Sequence, residues 1–227
     1  MYKRIRMLSK NEEKLKEVRE KIVEILQDLT ISQKLALRAL EECDPKSFEQ
    51  VKVPLKQINK KTEEIDNLVL IIFARYAPEA SDLREMVAAL KITSALQRIA
   101  TNEKNYIKNM AVCNPQTDEE IKRVIVESLT INRCTIKALE YTIEMVNETK
   151  DKDRITELES KIAVEYSKTD DVYSMIEKDV LQLMHQNHEI NEEYMNLLKY
   201  IRKNLKIIDR LEDIASRIEF ARLGGTL

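Results

Sequence analysis

Glycine and proline are scarce in this chain of 227 residues. Only two glycines occur, both close to the C-terminus, and only four prolines, at positions 45, 54, 78 and 115. Folds rich in β-strands need many more turn residues than that. The scarcity excludes a β-rich fold and favours an all-α protein, either as one large domain or as two bundles of about 100 residues.

An excess of charge of one sign is also lacking. Lysine and arginine number 38 and aspartate and glutamate 40, so the formal net charge is only −2 although 34% of the residues are charged. No global field attracts a polyanion. We therefore do not expect nucleic acid to be the main partner.

Cysteine pairs and long apolar runs are missing as well. The three cysteines, Cys43, Cys113 and Cys134, show no C-x-x-C spacing, which predicts reduced thiols and neither a disulfide framework nor a zinc site. The longest apolar run, from Leu68 to Ala74, is far shorter than the roughly 20 residues that span a bilayer. The first residues show no apolar core of the signal-peptide type. We expect a cytoplasmic, soluble protein.

No sequence motif for catalysis is present. The chain has no glycine-rich phosphate loop, no G-x-S-x-G and no H-E-x-x-H. The only histidines, His185 and His188, lie three residues apart in a segment that we interpret as a surface turn rather than a ligand pair. The sequence therefore predicts a protein that is not an enzyme.

Apolar residues recur at steps of three and four along nearly the whole chain, which is the period of an amphipathic helix. In the first helix the stripe includes Leu15, Val18, Ile22 and Leu29. Breaks are expected where prolines, polar runs or the final glycines interrupt the pattern, and Thr117 with Glu120 suggests a capping box. The expected helices are six: one ending at Cys43, then roughly 47–76, 81–112, 117–149, 155–184 and 192–222, with Pro54 as a kink or as the true start of the second.

A weak internal repeat relates the two halves. Shifting the sequence by 112 positions places Met86 on Leu198, Arg98 on Arg210 and Ile99 on Leu211, and apolar positions fall on apolar positions. The repeat predicts two similar three-helix bundles, residues 8–113 and 117–223, with the boundary near 114–117.

Two motifs carry a resemblance to a known family. Residues 73–84 read F-A-R-Y-A-P-E-A-S-D-L-R and residues 91–101 read K-I-T-S-A-L-Q-R-I-A-T. They resemble the signature of the PhoU family, in which a turn A-R-x-x-P-x-A-x-D-L-R precedes a helix with K-I-x-x-D-L-E-R-I-G-D. The resemblance implies six helices in two three-helix bundles, which agrees with the repeat.

In that family the E-x-x-x-D part of the motif binds metal, together with residues of the middle helix of the same bundle. In the first half of this chain Ala95, Gln97 and Thr101 replace the three carboxylates, and Leu55 and Asn59 align with the middle-helix positions. We expect no metal there.

The second half retains more of the acidic motif. Residues 208–213, I-D-R-L-E-D, align with L-E-R-I-G-D, so Asp209 and Asp213 occupy both acidic positions, and Tyr166 and Asp170 align on the middle helix. The resemblance implies Asp209, Asp213 and Asp170 as ligands of a divalent or iron-type metal. The alternative is a solvated, salt-bridged helix face in which Lys206, Arg210 and Arg217 offset the acidic charges.

The resemblance implies a cytoplasmic regulator of phosphate uptake and of phosphate-responsive signalling that acts by protein contacts. The expected partners are a phosphate transporter ATPase and a sensor histidine kinase, with membrane association only through them, and a homodimer is left open. The alternatives are a divergent helical-bundle adaptor without phosphate signalling, and a metal-dependent protein. The expected partner-binding residues are those that retain the family pattern: Arg75, Asp82, Arg84, Lys91, Arg98 and Arg210.

Overall fold

The structure is a computed structural model of the chain. It describes the backbone of residues 2–43, 46–76, 78, 80–110, 113, 117–186 and 191–224, and the side chains of the same residues except 2–9 and 109. All regular structure in these ranges is helical.

Six long helices and two short helical segments follow one another along the chain. The short segments are a helix at Ser47–Val51, labelled α2, and a 3₁₀ turn at Pro54–Gln57. Together they occupy the start of the predicted second helix. The helices are α1 (Tyr2–Glu42), α2 (Ser47–Val51), α3 (Ile58–Arg75), α4 (Ala80–Met110), α5 (Glu119–Asn147), α6 (Lys152–Gln186) and α7 (Asn191–Leu223). The all-α prediction is confirmed.

Local chemistry explains several helix ends. Pro54 stands in the first turn of the 3₁₀ segment, where its missing N–H costs nothing, so it opens a new segment instead of kinking a continuous helix. Helix α5 is capped by Asp118, whose carboxylate accepts hydrogen bonds from the N–H groups of Glu120 and Ile121. The predicted capping box at Thr117 was therefore wrong by one residue. Gly224 ends α7 with a positive φ of 85°.

His185 and Asn191 were expected to bound a turn, but both are helical. Helix α6 continues through Gln186, so His185 lies in its last turn. His188, as well as the predicted boundary residues Asn114 and Pro115, lies outside the described residues.

The helices pack in two sets of three that lie side by side. Helices α1, α3 and α4 contact one another in the first set, and α5, α6 and α7 in the second. Between the sets, α1 packs along α5 and α4 along α7, while α3 and α6 lie on the outer sides. A single hydrophobic core runs through both sets. The division into independent bundles at 8–113 and 117–223 stays a prediction.

The predicted apolar stripes form this core. Ile25, Leu29, Ile65 and Ile72 have no exposed surface, and neither do Leu139 and Ile208. Positions related by the 112-residue shift have matching environments: Met86 and Leu198 are buried, as are Leu96 and Ile208, whereas Leu83 and Met195 are both exposed. The repeat seen in the sequence is thus also a repeat of burial.

A buried polar network joins helices of both sets near the middle of the molecule. The amide of Asn132 donates to Gln33 Oε1 at 3.0 Å, that of Gln33 donates to Asn204 Oδ1 at 3.3 Å, and the Tyr106 hydroxyl donates to Asn132 Oδ1 at 2.7 Å. The four residues come from α1, α5, α7 and α4, in that order for Gln33, Asn132, Asn204 and Tyr106. Such a network favours one alignment of the helices over others, because a shifted alignment would leave the amides unpaired in the core.

Glu103 of α4 lies in the same polar region and is fully buried. Both of its carboxyl oxygens lack a hydrogen-bond donor among the described residues, because the nearby Ser32 donates its hydroxyl to the carbonyl of Val51. Burial raises the pKa of the Glu103 carboxyl to about 8.

Two of the cysteines do not follow the prediction. Cys43, after the end of α1, and Cys113, after the end of α4, form a disulfide with their Cα atoms 5.3 Å apart. The two residues are 70 positions apart in sequence, so only the packing of α1 against α4 brings them together. Cys134 is free and buried, as expected for a core thiol.

Two ion pairs that share one carboxylate link α1, α4 and α7 at the other end of these helices. The carboxylate of Glu85 accepts from Arg19 at 2.6 Å through one oxygen and from Arg222 at 2.7 Å through the other. Their side chains are only 11% to 19% exposed.

None of the helices in the described ranges is long and apolar enough to cross a bilayer.

Candidate functional site

Three of the predicted partner-binding residues meet in one place. Lys91 and Arg98 of α4 and Arg210 of α7 line a surface cleft of about 230 Å³ where the two helices pack across the two halves. A second cleft of about 410 Å³ adjoins it and shares Arg98 and Arg210. Arg98 and Arg210, equivalent in the internal repeat, thus lie on the same surface.

The local sequence explains why these side chains line up. On α4, Lys91, Ser94, Arg98 and Thr101 follow one another at steps of three and four, and on α7 so do Lys206, Arg210, Asp213 and Arg217. Residues at those steps lie on one face of a helix. The two faces adjoin the buried seam between α4 and α7, and because Lys91 lies beside Arg217 while Thr101 lies beside Lys206, the helices run antiparallel.

Positive charge dominates the clefts. We call the set of Lys91, Arg98, Lys206, Arg210 and Arg217 the basic groove. Its lining contains one carboxylate, that of Asp213, which pairs with Arg210 at 2.7 Å. In the described part of the chain no carboxylate lies within ion-pair distance of the other four cations.

Elsewhere on the surface, cations are commonly paired between helices. Lys34 of α1 contacts Glu140 of α5, Lys61 of α3 contacts Glu24 of α1, and Arg123 of α5 contacts Asp179 of α6, each within 2.8 Å. In the basic groove, by contrast, four of the five cations have no such partner among the described residues. The sequence analysis gave Lys206 and Arg217 only a charge-offsetting role, since nothing in a single helix shows which helix it will face.

The other predicted partner-binding residues lie outside the groove. Asp82 accepts a hydrogen bond from Asn11 of α1 at 2.6 Å, which attaches the start of α4 to α1. Arg84 lines a separate cleft there, together with Arg19 and Glu85, and its Nε is buried without a hydrogen-bond partner among the described residues. Arg75 is exposed in the last turn of α3.

The side of α7 that faces α6 is acidic. We call Asp170 and Glu159 of α6 with Asp209, Glu212 and Glu219 of α7 the acidic strip. Burial, with Asp209, Glu212 and Asp170 nearby, raises the pKa of the Tyr166 hydroxyl. Burial also raises the pKa of the Glu212 carboxyl, and the neighbouring charges of Asp209 and Asp213 add to that effect.

Sequence analysis found only part of this strip. Tyr166, Asp170 and Asp209 are close together, as the alignment predicted, but Glu159, Glu212 and Glu219 were missed. Their signal was available, because Glu212, Ser216 and Glu219 recur at steps of four and three on α7.

The acidic strip does not form a metal-ligand set in this arrangement. Asp213, one turn after Asp209, pairs with Arg210. Among the described residues no three histidine, cysteine or acidic side chains converge on a point where an ion could sit. Asp209, Asp213 and Asp170 as metal ligands stay a prediction.

The first half shows which middle-helix residues face its degenerate motif. Gln97 donates to the hydroxyl of Thr62 at 2.7 Å, and the hydroxyl of Thr93 donates to Asp66 at 2.7 Å. The partners of Gln97 are therefore on α3 at Thr62 and not at the aligned Leu55 or Asn59. Thr62 lies three residues after the aligned Asn59, about one helical turn further along α3.

Comparisons with known proteins agree on one family. The model of the PhoU domain matches residues 22–110. The phosphate-specific transport system accessory protein PhoU homolog 1 of Methanothermobacter thermautotrophicus is 26% identical over 216 residues, which cover 91% of each chain. PhoU from Pseudomonas aeruginosa superposes with a TM-score of 0.82 at 20% identity, covering 94% of this chain and 99% of that one.

A second solved structure has the same fold. The phosphate transport system regulatory protein PhoU from Streptococcus pneumoniae has a TM-score of 0.72 at 18% identity and covers 96% of this chain and 99% of its own. At such identities the two structures show the fold alone. Residues 22–110 thus match the PhoU domain, and the chain as a whole has the fold of the two PhoU structures.

Proposed function

We propose that this protein is a cytoplasmic regulator of phosphate transport that acts through protein contacts and not through catalysis. The names of its relatives support this, since one is a phosphate-specific transport accessory protein and another a phosphate transport system regulatory protein. The partners we propose are the transporter ATPase and the sensor histidine kinase of the phosphate response.

The observation that carries the proposal is the basic groove. Arg98 and Arg210 come from different halves of the chain yet lie together on one exposed face, in a protein with a net charge of −2. Cations clustered on an exposed surface suit contact with an acidic surface, because complementary charge speeds encounter and excludes wrong partners. Arginine in particular pairs with carboxylates through a planar fork of donors.

A genetic test examines the function directly. Deleting the gene in the native organism should raise phosphate uptake and switch on the phosphate-starvation response in rich medium. Wild-type protein should restore repression, and so should Lys178→Glu, which reverses an exposed charge on α6. Arg98→Glu should restore it only in part, because it places a carboxylate in the groove while leaving the core intact.

Two results would overturn the proposal. One is a deletion strain that takes up phosphate like its parent, together with a pull-down that returns neither transporter ATPase nor sensor kinase. In that case the chain acts as a divergent adaptor. The other is an Arg98→Glu protein that represses as fully as the Lys178→Glu control, which would exclude the groove as the contact surface.

A metal-dependent role is the second candidate, and the acidic strip is the observation that favours it. Clustered carboxylates repel one another, and a bound cation lowers their energy by neutralising this charge. Elemental analysis of the purified protein, before and after Asp209→Asn, tests the idea. A tightly held metal ion that the substitution removes would support it, and a protein without bound metal would exclude it.

A further inference from the structure

We propose that the basic groove is a binding site for anions with linked phosphoryl groups, such as a di- or triphosphate. This inference rests on the proposed function in one respect: the anion would occupy the same cations that a protein partner contacts. Binding itself is a property of the isolated protein.

The charge of the groove calls for a polyvalent anion. Five cations stand against the single carboxylate of Asp213, and four of the five have no acidic neighbour at ion-pair distance within the described ranges. Bringing like charges together costs energy that nothing in the folded chain offsets here. An anion that carries several negative charges offsets this repulsion. The single charge of a carboxylate is too small to do so.

The length of the groove favours linked phosphates over a single one. Lys91 and Arg98 are seven residues apart on α4, and Lys206 and Arg217 are eleven apart on α7. At 1.5 Å per residue these separations are about 10 Å and about 16 Å along the helices. One phosphate can reach only the cations around Arg98 and Arg210, whereas a chain of phosphates can contact those at either end as well.

The shape of the groove favours a slender ligand. The cations line two adjoining recesses of about 230 and 410 Å³ between α4 and α7, and not a convex helix face. Recesses of this size between two helices can accommodate a small anion. The recesses also contain the polar side chains of Ser94 and Asn102, which can donate hydrogen bonds to phosphate oxygens.

Asp213 supplies a distinguishing test. Its carboxylate accepts from Arg210 at 2.7 Å and occupies part of the guanidinium fork that a phosphate would use. Removing its charge should therefore improve anion binding. If Asp213 served instead as a metal ligand, the same substitution would weaken metal binding and leave the anion unaffected.

The experiment is calorimetric titration of the purified protein at low ionic strength with tripolyphosphate, orthophosphate and sulfate. We expect tripolyphosphate to bind at least about tenfold more tightly than the other two. Arg98→Gln should weaken its binding about tenfold, which corresponds to about 1.4 kcal/mol. Asp213→Asn should strengthen it several-fold, and the control Lys178→Gln should leave it unchanged.

A second experiment distinguishes soluble phosphates from lipid headgroups as the source of the phosphoryl groups. Vesicles of neutral phosphatidylcholine with and without phosphatidic acid test whether a lipid headgroup is the ligand. Capture by acidic vesicles without binding of soluble tripolyphosphate would overturn the proposal of a soluble ligand. It would also be overturned if tripolyphosphate failed to bind, or if Arg98→Gln and Lys178→Gln changed its affinity equally while both variants kept the wild-type melting temperature. None of these results depends on transport or on gene regulation, so failure here is distinct from failure of the proposed function.

Discussion

At the scale of single residues, Glu103 is the side chain whose environment departs furthest from what its type prefers. A fully buried carboxyl with no donor to either oxygen is stable only when it is protonated. Its pKa of about 8 lies well above the value of about 4.3 in an unfolded chain. Folding therefore takes up a proton over the interval between these two values.

The stability of the protein should fall as the pH rises through that interval. Because the folded state binds the proton more tightly, the free energy of unfolding is highest below pH 4.3 as far as Glu103 is concerned. It decreases by up to about 1.4 kcal/mol per pH unit towards pH 8. Glu103→Gln should remove this dependence and make the protein about 3 kcal/mol more stable at pH 7.

Urea unfolding of both proteins from pH 5 to pH 8.5 measures the difference. Glu41→Gln, at an exposed carboxylate that pairs with Arg133, is the control and should keep the wild-type slope. Parallel stability curves for wild type and Glu103→Gln would show that Glu103 is charged in the folded protein, contrary to this account.

Among the helices, the ion pair of Arg19, Glu85 and Arg222 should contribute more to stability than the other pairs between helices. Removing the carboxylate with Glu85→Ala leaves two largely buried arginines unpaired, which should lower the free energy of unfolding by about 3 kcal/mol. Glu41→Ala removes one partner of the exposed Arg133 pair and should cost less than about 1 kcal/mol. Chemical denaturation of the two variants compares them, and equal losses would contradict the assigned importance of burial.

The helices themselves could be predicted from the sequence because an amphipathic stripe records which face of a helix is buried. Ile25 and Ile65 were assigned to the core correctly on that basis. The sequence contains no comparable pattern for the contacts between helices. The sequence does not show that Glu103 faces inwards or that Arg217 lies beside Lys91, since both depend on how α4, α5 and α7 are rotated against one another.

Errors of the sequence analysis arose where one residue decided a local outcome. Asp118 caps α5 in place of Thr117, because the carboxylate of Asp118 reaches the N–H groups of both Glu120 and Ile121. Three of the five cations of the basic groove, Lys91, Arg98 and Arg210, were nevertheless named from the sequence. The other two, Lys206 and Arg217, became visible only when α7 was placed against α4.

At the scale of the whole molecule, the disulfide between Cys43 and Cys113 closes a loop that contains most of the first half. Its ends are 70 residues apart, so by chain entropy it should stabilise the fold by about 4 kcal/mol. Reduction, or the double substitution Cys43→Ser with Cys113→Ser, should lower the free energy of unfolding by up to that amount. Reducing compartments keep such pairs as thiols, so the reduced form is the relevant one there.

Denaturation with and without dithiothreitol measures this contribution. The reductant should destabilise the wild type and leave the double serine variant unchanged, because Cys134 has no partner in the described structure. Alkylation of the unfolded, unreduced protein should label one thiol per chain. Three labelled thiols in protein purified under oxidising conditions would contradict the disulfide.

Helix α7 separates two kinds of charge, with the basic groove on the side of α4 and the acidic strip on the side of α6. These two adjacent faces form a local dipole, on which the field of a nearby charged body exerts a torque. At physiological ionic strength the field decays over about 8 Å, so this torque acts only in the last stage of an approach. An approaching anionic surface would therefore turn the molecule until α4 and α7 face it, before any side chain makes contact.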